Sequence, residues 1–272
     1  MINKKISWFH YLLVVPIFID IFTITLTFTL FYIKNPLIQT IFTKNLTSKI
    51  ILTFIFYTSS IFSLISHILS IITNNSIFYS NEKILFDKEN LTIQNKNNNI
   101  NKSAIYCSIC KIYKINKIHH CSKCNICIDE MDHHCPWICN CVGKKNKKYF
   151  MLLLFYGFIG SLIGLITIFN QFLFVVLNKE KINENEKNNL INDFDVIKIS
   201  AYYSLPFFGF TFSALSMVFC YIFLCNQLYS VYVGMNFVDI KKCKNKNNFN
   251  KNFWNNFKNV FGNNIFMWFL PI

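Results

Sequence analysis

The sequence contains no arginine and few charged residues of either sign. All 27 of its cationic residues are lysine, against 13 acidic residues, which gives a formal net charge of +14. Charged residues make up 15% of the chain, whereas about a quarter is usual in a soluble domain. On a soluble protein this basic balance would suggest nucleic-acid binding, but on so apolar a chain it indicates lysines near anionic lipid headgroups. We therefore expect membrane lipids, and no nucleic acid, among its partners.

The chain contains long apolar runs, and 53% of its residues are hydrophobic. Four runs reach the roughly 20 residues that a helix needs to cross a bilayer; they cover residues 8–33, 50–73, 149–177 and 199–225. The first run is too long for a signal peptide, and no small-residue cleavage site follows it, which favours a membrane anchor. A transporter is disfavoured because there is no clear internal repeat. The sequence predicts an all-α multi-pass membrane protein with four transmembrane helices.

The distribution of lysine predicts the orientation of these helices. The polar segment 74–148 holds 12 lysines and the tail 226–272 holds six, which places both on the cytosolic side. An even number of crossings also returns both chain ends to the cytosol. The predicted organisation has four parts: an N-terminal part with two helices (1–73), a cytosolic cysteine-rich domain (74–148, core 107–148), a second helix pair (149–225) and a cytosolic tail (226–272).

A cluster of cysteine and histidine carries the chemistry. Eight of the 11 cysteines and four of the six histidines lie between Cys107 and Cys141. A secreted disulfide scaffold would not concentrate histidine among its cysteines, so a metal site in a reducing compartment is favoured. Repeated C-x2-C pairs with intervening histidine suit tetrahedral zinc. Two closed sites use eight of the twelve candidate ligands, and spacing alone leaves open which four are free. It also leaves open a structural double-zinc module, as in an adaptor or a RING-like ubiquitin ligase.

The segment from Cys107 to Phe150 resembles the cysteine-rich domain of the DHHC family of protein S-acyltransferases (palmitoyltransferases). The matching motifs are Cys107-x2-Cys110, His120-Cys121-x2-Cys124-x2-Cys127, Asp132-His133-His134-Cys135-Pro136-Trp137, Asn140-Cys141-Val142-Gly143 and Asn146. The family has four helices with this domain between the second and the third, which agrees with the hydropathy pattern. The resemblance implies a membrane enzyme that transfers palmitoyl or a similar acyl group from acyl-CoA to protein cysteines.

The resemblance also implies a role for each residue of the cluster. Three residues would be catalytic: Cys135 as nucleophile, His133 as the base that deprotonates it and Asp132 as the group that orients His133. These roles suit the chemistry, because an adjacent imidazole raises the thiolate fraction of a cysteine and a carboxylate fixes the imidazole tautomer. Two groups of four would each hold a structural zinc ion: Cys107, Cys110, His120 and Cys127 in one, and Cys121, Cys124, His134 and Cys141 in the other.

The position of Cys135 suits a lipid thioester substrate. It lies about 14 residues before the third apolar run, so we expect its thiol near the headgroup plane. The acyl chain gains about 0.8 kcal/mol per methylene buried in the membrane, whereas polyanionic coenzyme A stays in water. Four lysines at this boundary could attract the phosphates of coenzyme A as point charges or simply anchor the helix: Lys144, Lys145, Lys147 and Lys148.

Acyl-CoA and cytosolic-face proteins with accessible cysteines are thus the expected partners. The expected location is the endoplasmic reticulum, the Golgi or another endomembrane, with the plasma membrane as the alternative.

The sequence departs from the family pattern after the fourth helix. A Thr-Thr-x-Glu motif is usual there, but residues 233–239 read Val-Gly-Met-Asn-Phe-Val-Asp. Asp239 is a candidate substitute for the missing acid. Residues 252–262 resemble the C-terminal conserved motif of the family, in which Asn256 matches a structural asparagine. His119 and Cys139 lie outside the pattern.

Overall fold

The structure of the protein is a computed structural model that describes residues 46–77, 105–114, 117–177, 193–242 and 252–272. The first predicted transmembrane helix (8–33) lies outside the described residues. The chain divides into two compact units. One is drawn from His67–Phe150 and Gln227–Ile272, and the other from Val15–Ser66 and Met151–Asn226, within the described parts of each.

Three long helices dominate the described residues: α1 (Leu46–Ile72), α2 (Lys147–Leu177) and α3 (Asp193–Val233). They correspond to the second, third and fourth apolar runs of the sequence. Each contains a segment long and apolar enough to cross a membrane: Ile50–Ile72, Lys147–Phe169 and Phe207–Val233. The protein is therefore a helical membrane protein, and three of its four predicted spans are helices of the expected kind.

The helix α3 ends eight residues later than the apolar run that predicted it, at Val233 instead of Cys225. The apolar run ends before the helix does because Asn226, Gln227 and Ser230 are polar. Gln227 and Ser230 are each 1% exposed, and residues three apart lie on the same face of a helix. Gln227 Nε2 donates to Asp132, and Ser230 Oγ accepts from Lys147. The protein therefore accommodates these polar side chains in its interior, and the helix continues past the apolar segment.

Small residues allow the helices of the second unit to approach closely. A Cβ atom on Gly157 of α2 would lie 3.0 Å from Cys220 Sγ of α3, and one on Gly160 would lie 3.2 Å from Ser59 Oγ of α1. Ser161 Oγ of α2 also donates to Ser216 Oγ of α3 at 3.0 Å. Such contacts drive helix association in membranes, where lipid is as apolar as the side chains.

The cysteine-rich region corrects the all-α prediction, because its described residues form three antiparallel hairpins of short strands. The strands alternate with tight turns, and the residue that directly follows each C-x2-C pair has a positive φ, 56° at Lys111 and 55° at Asn125. The pairs are β1 (Ile105–Cys107) with β2 (Ile112–Lys114), β3 (His119–Cys121) with β4 (Ile126–Ile128), and β5 (His133–Cys135) with β6 (Asn140–Val142).

Two asparagines join the third hairpin to the C-terminal end of α1. Asn140 Nδ2 donates to the carbonyls of Ser70, Ile71 and Thr73 at 3.2, 3.2 and 2.8 Å. Asn146 Nδ2 donates to the Ser70 carbonyl at 3.1 Å. The last turn of α1 has no basic residue, so these amides satisfy carbonyls that a helix end leaves without partners. The hairpin that contains the DHHC motif is thereby fixed to this helix end.

The described part of the tail contains two short helices, α4 (Phe237–Lys242) and α5 (Phe253–Phe261), and a 3₁₀ turn at Ile265–Met267. Asn252 caps α5 by accepting a hydrogen bond from the backbone N–H of Asn255. The Phe257 ring stacks on Phe261 at a centroid distance of 4.3 Å and meets Trp268 at 4.9 Å. Aromatic packing therefore orders the segment that resembles the C-terminal motif of the family.

Candidate active site and metal clusters

The strand β5 separates two adjacent histidines onto opposite faces. Successive side chains in a strand point to opposite sides, so His133 and Cys135 share one face and His134 takes the other. On its own face, His134 is paired across the hairpin with Cys141. His133 interacts instead with the thiol of Cys135. The alternation of a strand thus assigns the two histidines different surroundings.

Two groups of cysteine and histidine could each hold a metal ion, since the ligand atoms within each group lie within 4.8 Å of one another. In the first, His120 Nδ1 lies 3.6, 3.4 and 3.8 Å from three Sγ atoms. In the second, His134 Nδ1 lies 3.7, 3.4 and 3.7 Å from three Sγ atoms. The groups have these members: Cys107, Cys110, His120 and Cys127, and Cys121, Cys124, His134 and Cys141.

These distances suit tetrahedral zinc. Bonds of about 2.3 Å to sulfur and 2.0 Å to nitrogen place neighbouring sulfur and nitrogen ligands about 3.5 Å apart. The six sulfur–nitrogen distances bracket that value, and Cys124 Sγ lies 3.5 Å from Cys141 Sγ. Three sulfurs and one imidazole nitrogen also form a closed donor set typical of structural zinc.

The middle hairpin, β3–β4, contributes to both groups. His120 and Cys127 face each other across this hairpin and belong to the first group. Cys121 follows His120 directly and belongs, with Cys124, to the second group. Adjacent residues reach different groups because the strand turns their side chains to opposite faces.

Cys135 belongs to neither group among the described residues. Its side chain is 2% exposed, and its backbone is paired with that of Asn140. A 3₁₀ turn, Pro136–Ile138, follows it directly. The carbonyl of Trp137 in this turn lies 3.2 Å from Nε2 of the buried His67, in the last part of α1. The turn that follows Cys135 is thus attached to the last part of α1.

The carboxylate of Asp132 is buried and accepts four hydrogen bonds. Its Oδ2 accepts from His133 Nδ1 at 2.8 Å and from Gln227 Nε2 at 2.9 Å. Its Oδ1 accepts from Lys147 Nζ at 3.4 Å and from the backbone N–H of Phe237 at 3.1 Å. Burial alone would raise the pKa of Asp132, but the bond from His133, the charge of Lys147 and the bond from Gln227 outweigh it and lower that pKa to about 2.

The hydrogen bond between Asp132 and His133 raises the pKa of His133. Burial disfavours its imidazolium, but the hydrogen bond to Asp132 and the interaction with Cys135 outweigh that effect and raise the pKa of His133 to about 9. The ring of Phe150 packs edge-on against the imidazole at a centroid distance of 5.5 Å. A cationic imidazole beside a thiol favours the thiolate, so this arrangement can activate Cys135 as a nucleophile.

The four boundary lysines have different surroundings. Lys147 is 6% exposed. Lys144 is 57% exposed and lies 3.5 Å from Glu130 and 3.8 Å from Asp129. Lys145 is exposed, and Lys148 Nζ donates to a tail carbonyl at 2.9 Å. The expectation that all four attract phosphates in solvent does not suit Lys147, because its ammonium is enclosed by protein acceptors.

The partners of Asp132 beyond His133 were not predicted from the sequence. Gln227 and Phe237 lie about 100 residues further along the chain, and local patterns do not report such distant contacts. One signal was present for Gln227 and Ser230. Polar residues that continue an apolar helix with a helical spacing usually face a protein interior.

The segment that lacks the Thr-Thr-x-Glu motif nevertheless contacts the cysteine-rich region. Asp239 Oδ1 lies 2.8 Å from His119 Nε2, and Lys117 Nζ donates to the Gly234 carbonyl at 3.0 Å. Lys242 Nζ lies 3.3 Å from His119 Nδ1. His119, which stands outside the family pattern, is therefore the partner of the acid that was expected to substitute for the missing one.

Comparison with known proteins places this site in context. Residues 100–246, more than half of the chain, match the family described as DHHC palmitoyltransferase. The human palmitoyltransferase ZDHHC2 is 31% identical over 167 residues, which cover 61% of this chain and 42% of that protein. The palmitoyltransferase ZDHHC15 of Rattus norvegicus is 28% identical over 173 residues, or 63% and 48% of the two chains.

A plant relative matches over a shorter range. The probable protein S-acyltransferase 12 of Arabidopsis thaliana is 41% identical over 68 residues, which cover 25% of this chain and 23% of that protein. The chain thus aligns with less than half the length of each of these three relatives.

Proposed function

This chain belongs to the DHHC palmitoyltransferase family, and we propose that it is a protein S-acyltransferase that moves palmitoyl or a similar acyl group from acyl-CoA to protein cysteines. One observation carries the proposal. Eight sulfur and imidazole side chains gather into two metal-ligating groups, while Cys135 stays outside both and beside the hydrogen-bonded pair of His133 and Asp132. Cys135 is therefore an activated thiol that is available for chemistry.

The proposed reaction has two steps. The thiol proton of Cys135 passes to His133, and the thiolate attacks the carbonyl carbon of the acyl-CoA thioester. The carbon–sulfur bond to coenzyme A breaks, and the departing thiolate takes the proton from His133. His133 then takes the thiol proton of a substrate cysteine, and the resulting thiolate attacks the carbonyl carbon of the acyl-enzyme thioester. The bond to Cys135 breaks, the acyl group is transferred, and the released Cys135 thiolate recovers the proton from His133. Throughout, Asp132 orients the imidazole and stabilises its cationic form.

The two groups of four ligands would each hold a structural zinc ion in this proposal. Zinc bound to four protein ligands supplies folding energy rather than an open coordination site. The ions would tie the three hairpins together, because each group joins residues of two different hairpins. The support is the match between the ligand distances and tetrahedral zinc geometry given above.

The substrate would be divided between two phases, with the acyl chain in the membrane and coenzyme A in water. We propose that three lysines attract the phosphates of coenzyme A: the exposed Lys144 and Lys145, together with Lys148. In agreement with the lysine distribution of the sequence, we propose that the cysteine-rich domain and both chain ends face the cytosol, in an endomembrane. Cytosolic proteins with accessible cysteines would be the acceptors.

Labelling with a clickable acyl-CoA analogue tests the proposal. The full chain in detergent or nanodiscs should acquire a hydroxylamine-sensitive label, and Cys135→Ser should abolish it. Cys225→Ser is the matched control, since Cys225 is an exposed cysteine far from the cluster in sequence, and it should label like the wild type. Equal labelling of Cys135→Ser would refute the enzymatic assignment and favour a zinc-organised adaptor.

A further inference from the structure

We propose that Lys147, held in place by Ser230 and Asn236, is a positioning residue that fixes the carboxylate of Asp132 and thereby orients His133. The proposal rests on the S-acyltransferase function proposed above and assigns Lys147 a role in acyl transfer instead of phosphate binding. It makes the end of α3 and the turn before α4 part of the active-site framework.

The hydrogen bonds of Asp132 leave its carboxylate a single orientation. A carboxylate offers about four lone-pair positions, and four donors approach it: two on Oδ2, from His133 and Gln227, and two on Oδ1, from Lys147 and Phe237. Rotation of the carboxylate would break bonds to donors on both oxygens. The lone pair that faces His133 is therefore held by the three other donors.

Lys147 connects this carboxylate to two further elements. Its ammonium donates to Ser230 Oγ at 2.8 Å and to Asn236 Oδ1 at 3.0 Å. Ser230 Oγ in turn donates to the carbonyl of Met235 at 2.7 Å, so its lone pair is directed to the lysine. The three donors of an ammonium are thus all engaged, by Asp132, Ser230 and Asn236.

The four residues of this arrangement are buried, so the loss of one hydrogen-bond partner cannot be replaced by water. Asp132, Lys147, Ser230 and Asn236 are 1%, 6%, 1% and 4% exposed. A buried charge is tolerated only when it is paired and hydrogen-bonded, and removal of one partner leaves the other charge uncompensated. Lys147 is the only lysine paired with Asp132 among the described residues. Without it, Asp132 would lose its cation and one donor on Oδ1, and the imidazole of His133 would lose a fixed partner.

A positioning role and a phosphate-binding role affect kinetics differently. Loss of a phosphate contact raises the acyl-CoA concentration needed for half-maximal rate and leaves the maximal rate unchanged. Loss of orientation lowers the maximal rate of acyl-enzyme formation, because the thiol is less often activated, and leaves that concentration unchanged. For Lys147→Met we expect the maximal rate to fall about tenfold, with half-saturation within about twofold of the wild type.

The experiment is single-turnover autoacylation of the full chain over a range of acyl-CoA concentrations. Lys241→Met, which removes an exposed lysine from α4, is the matched control and should behave like the wild type. Bound zinc and thermal midpoint of each variant report whether it is folded. A raised half-saturating concentration with an unchanged maximal rate, or no change in either, would overturn the proposal.

A milder variant keeps the test decisive if Lys147→Met does not fold. Ser230→Ala removes one acceptor of Lys147, and we expect the maximal rate to fall about threefold with the same half-saturation. Where both variants fold, adding Ser230→Ala to Lys147→Met should cost nothing further, because the serine acts through the lysine. Additive losses would contradict this. A wild-type chain that acquires no label at Cys135 would instead refute the proposed function itself.

Discussion

Exchange of one amide for a carboxylate at Asn140 should release the DHHC hairpin from the end of α1. Asn140→Asp changes the shape of the side chain very little but replaces Nδ2, which donates to three carbonyls, with an oxygen. The amide oxygen Oδ1, which accepts from the backbone N–H of Cys141 at 3.0 Å, is retained. The variant therefore removes donors and places a negative charge against the carbonyl end of a helix.

The magnitude follows from burial. Asn140 is 3% exposed, and each buried polar group left unsatisfied costs about 1–3 kcal/mol. With at least two carbonyls affected, we expect unfolding to become easier by about 3–6 kcal/mol, a large share of the roughly 5–15 kcal/mol typical of folded proteins. The thermal midpoint should fall by at least about 6 °C. The loss should be smaller at pH 5.5 than at pH 8, because a protonated carboxyl regains one donor.

Thermal unfolding in detergent, followed with a maleimide that reacts with newly exposed thiols, measures this effect. Asn125→Asp is the matched control, because Asn125 is exposed in a turn with φ of 55°, a conformation that aspartate also tolerates. Its midpoint should stay within about a degree of the wild type, as is usual for surface substitutions. If Asn140→Asp and Asn125→Asp unfold at the same temperature, the hairpin does not depend on this cap.

Three further predictions concern the site. In Asp132→Asn, the pKa of His133 should fall from about 9 towards its ordinary value, so iodoacetamide should alkylate Cys135 of the variant several-fold more slowly than Cys135 of the wild type at pH 7.5. The difference should be smaller at pH 6, and equal rates for variant and wild type at both pH values would contradict the assignment. His119→Ala and Asp239→Asn should each cost about 1 kcal/mol of unfolding free energy, and a double-mutant cycle should show coupling, whereas strictly additive effects would mean that their 2.8 Å contact contributes nothing. Chelation should increase protease sensitivity of the cysteine-rich region and abolish autoacylation together; loss of acylation with unchanged proteolysis would argue against structural zinc.

The helices were predictable because a membrane requires long apolar segments, and their ends were less so. Hydropathy treats a polar residue as one that faces water. Gln227 and Ser230 are polar but buried, where they are hydrogen-bonded to Asp132 and Lys147, so α3 extends to Val233. The strands of the cysteine-rich region were not predicted, because three-residue strands are too short for a periodic pattern.

Part of the site followed from local sequence, and part required the fold. The separate positions of His133 and His134 follow from strand alternation. The burial of Lys147 does not follow from the sequence, which offers nothing to distinguish it from its three neighbours, Lys144, Lys145 and Lys148. Only the first turn of α2, next to the last turn of α3, determines which of them is buried. The pairing of His119 with Asp239 joins residues 120 positions apart, beyond the reach of any local motif.

The middle hairpin has a consequence for the order in which the protein acquires its ions. Because β3–β4 gives ligands to both groups from opposite faces, the first ion to bind would set the strand register that presents Cys121 and Cys124 to the second. Each binding event lowers the ordering cost of the next, which is positive cooperativity. Titration of the metal-free chain should therefore give a sigmoidal curve, with singly loaded protein scarce at every concentration.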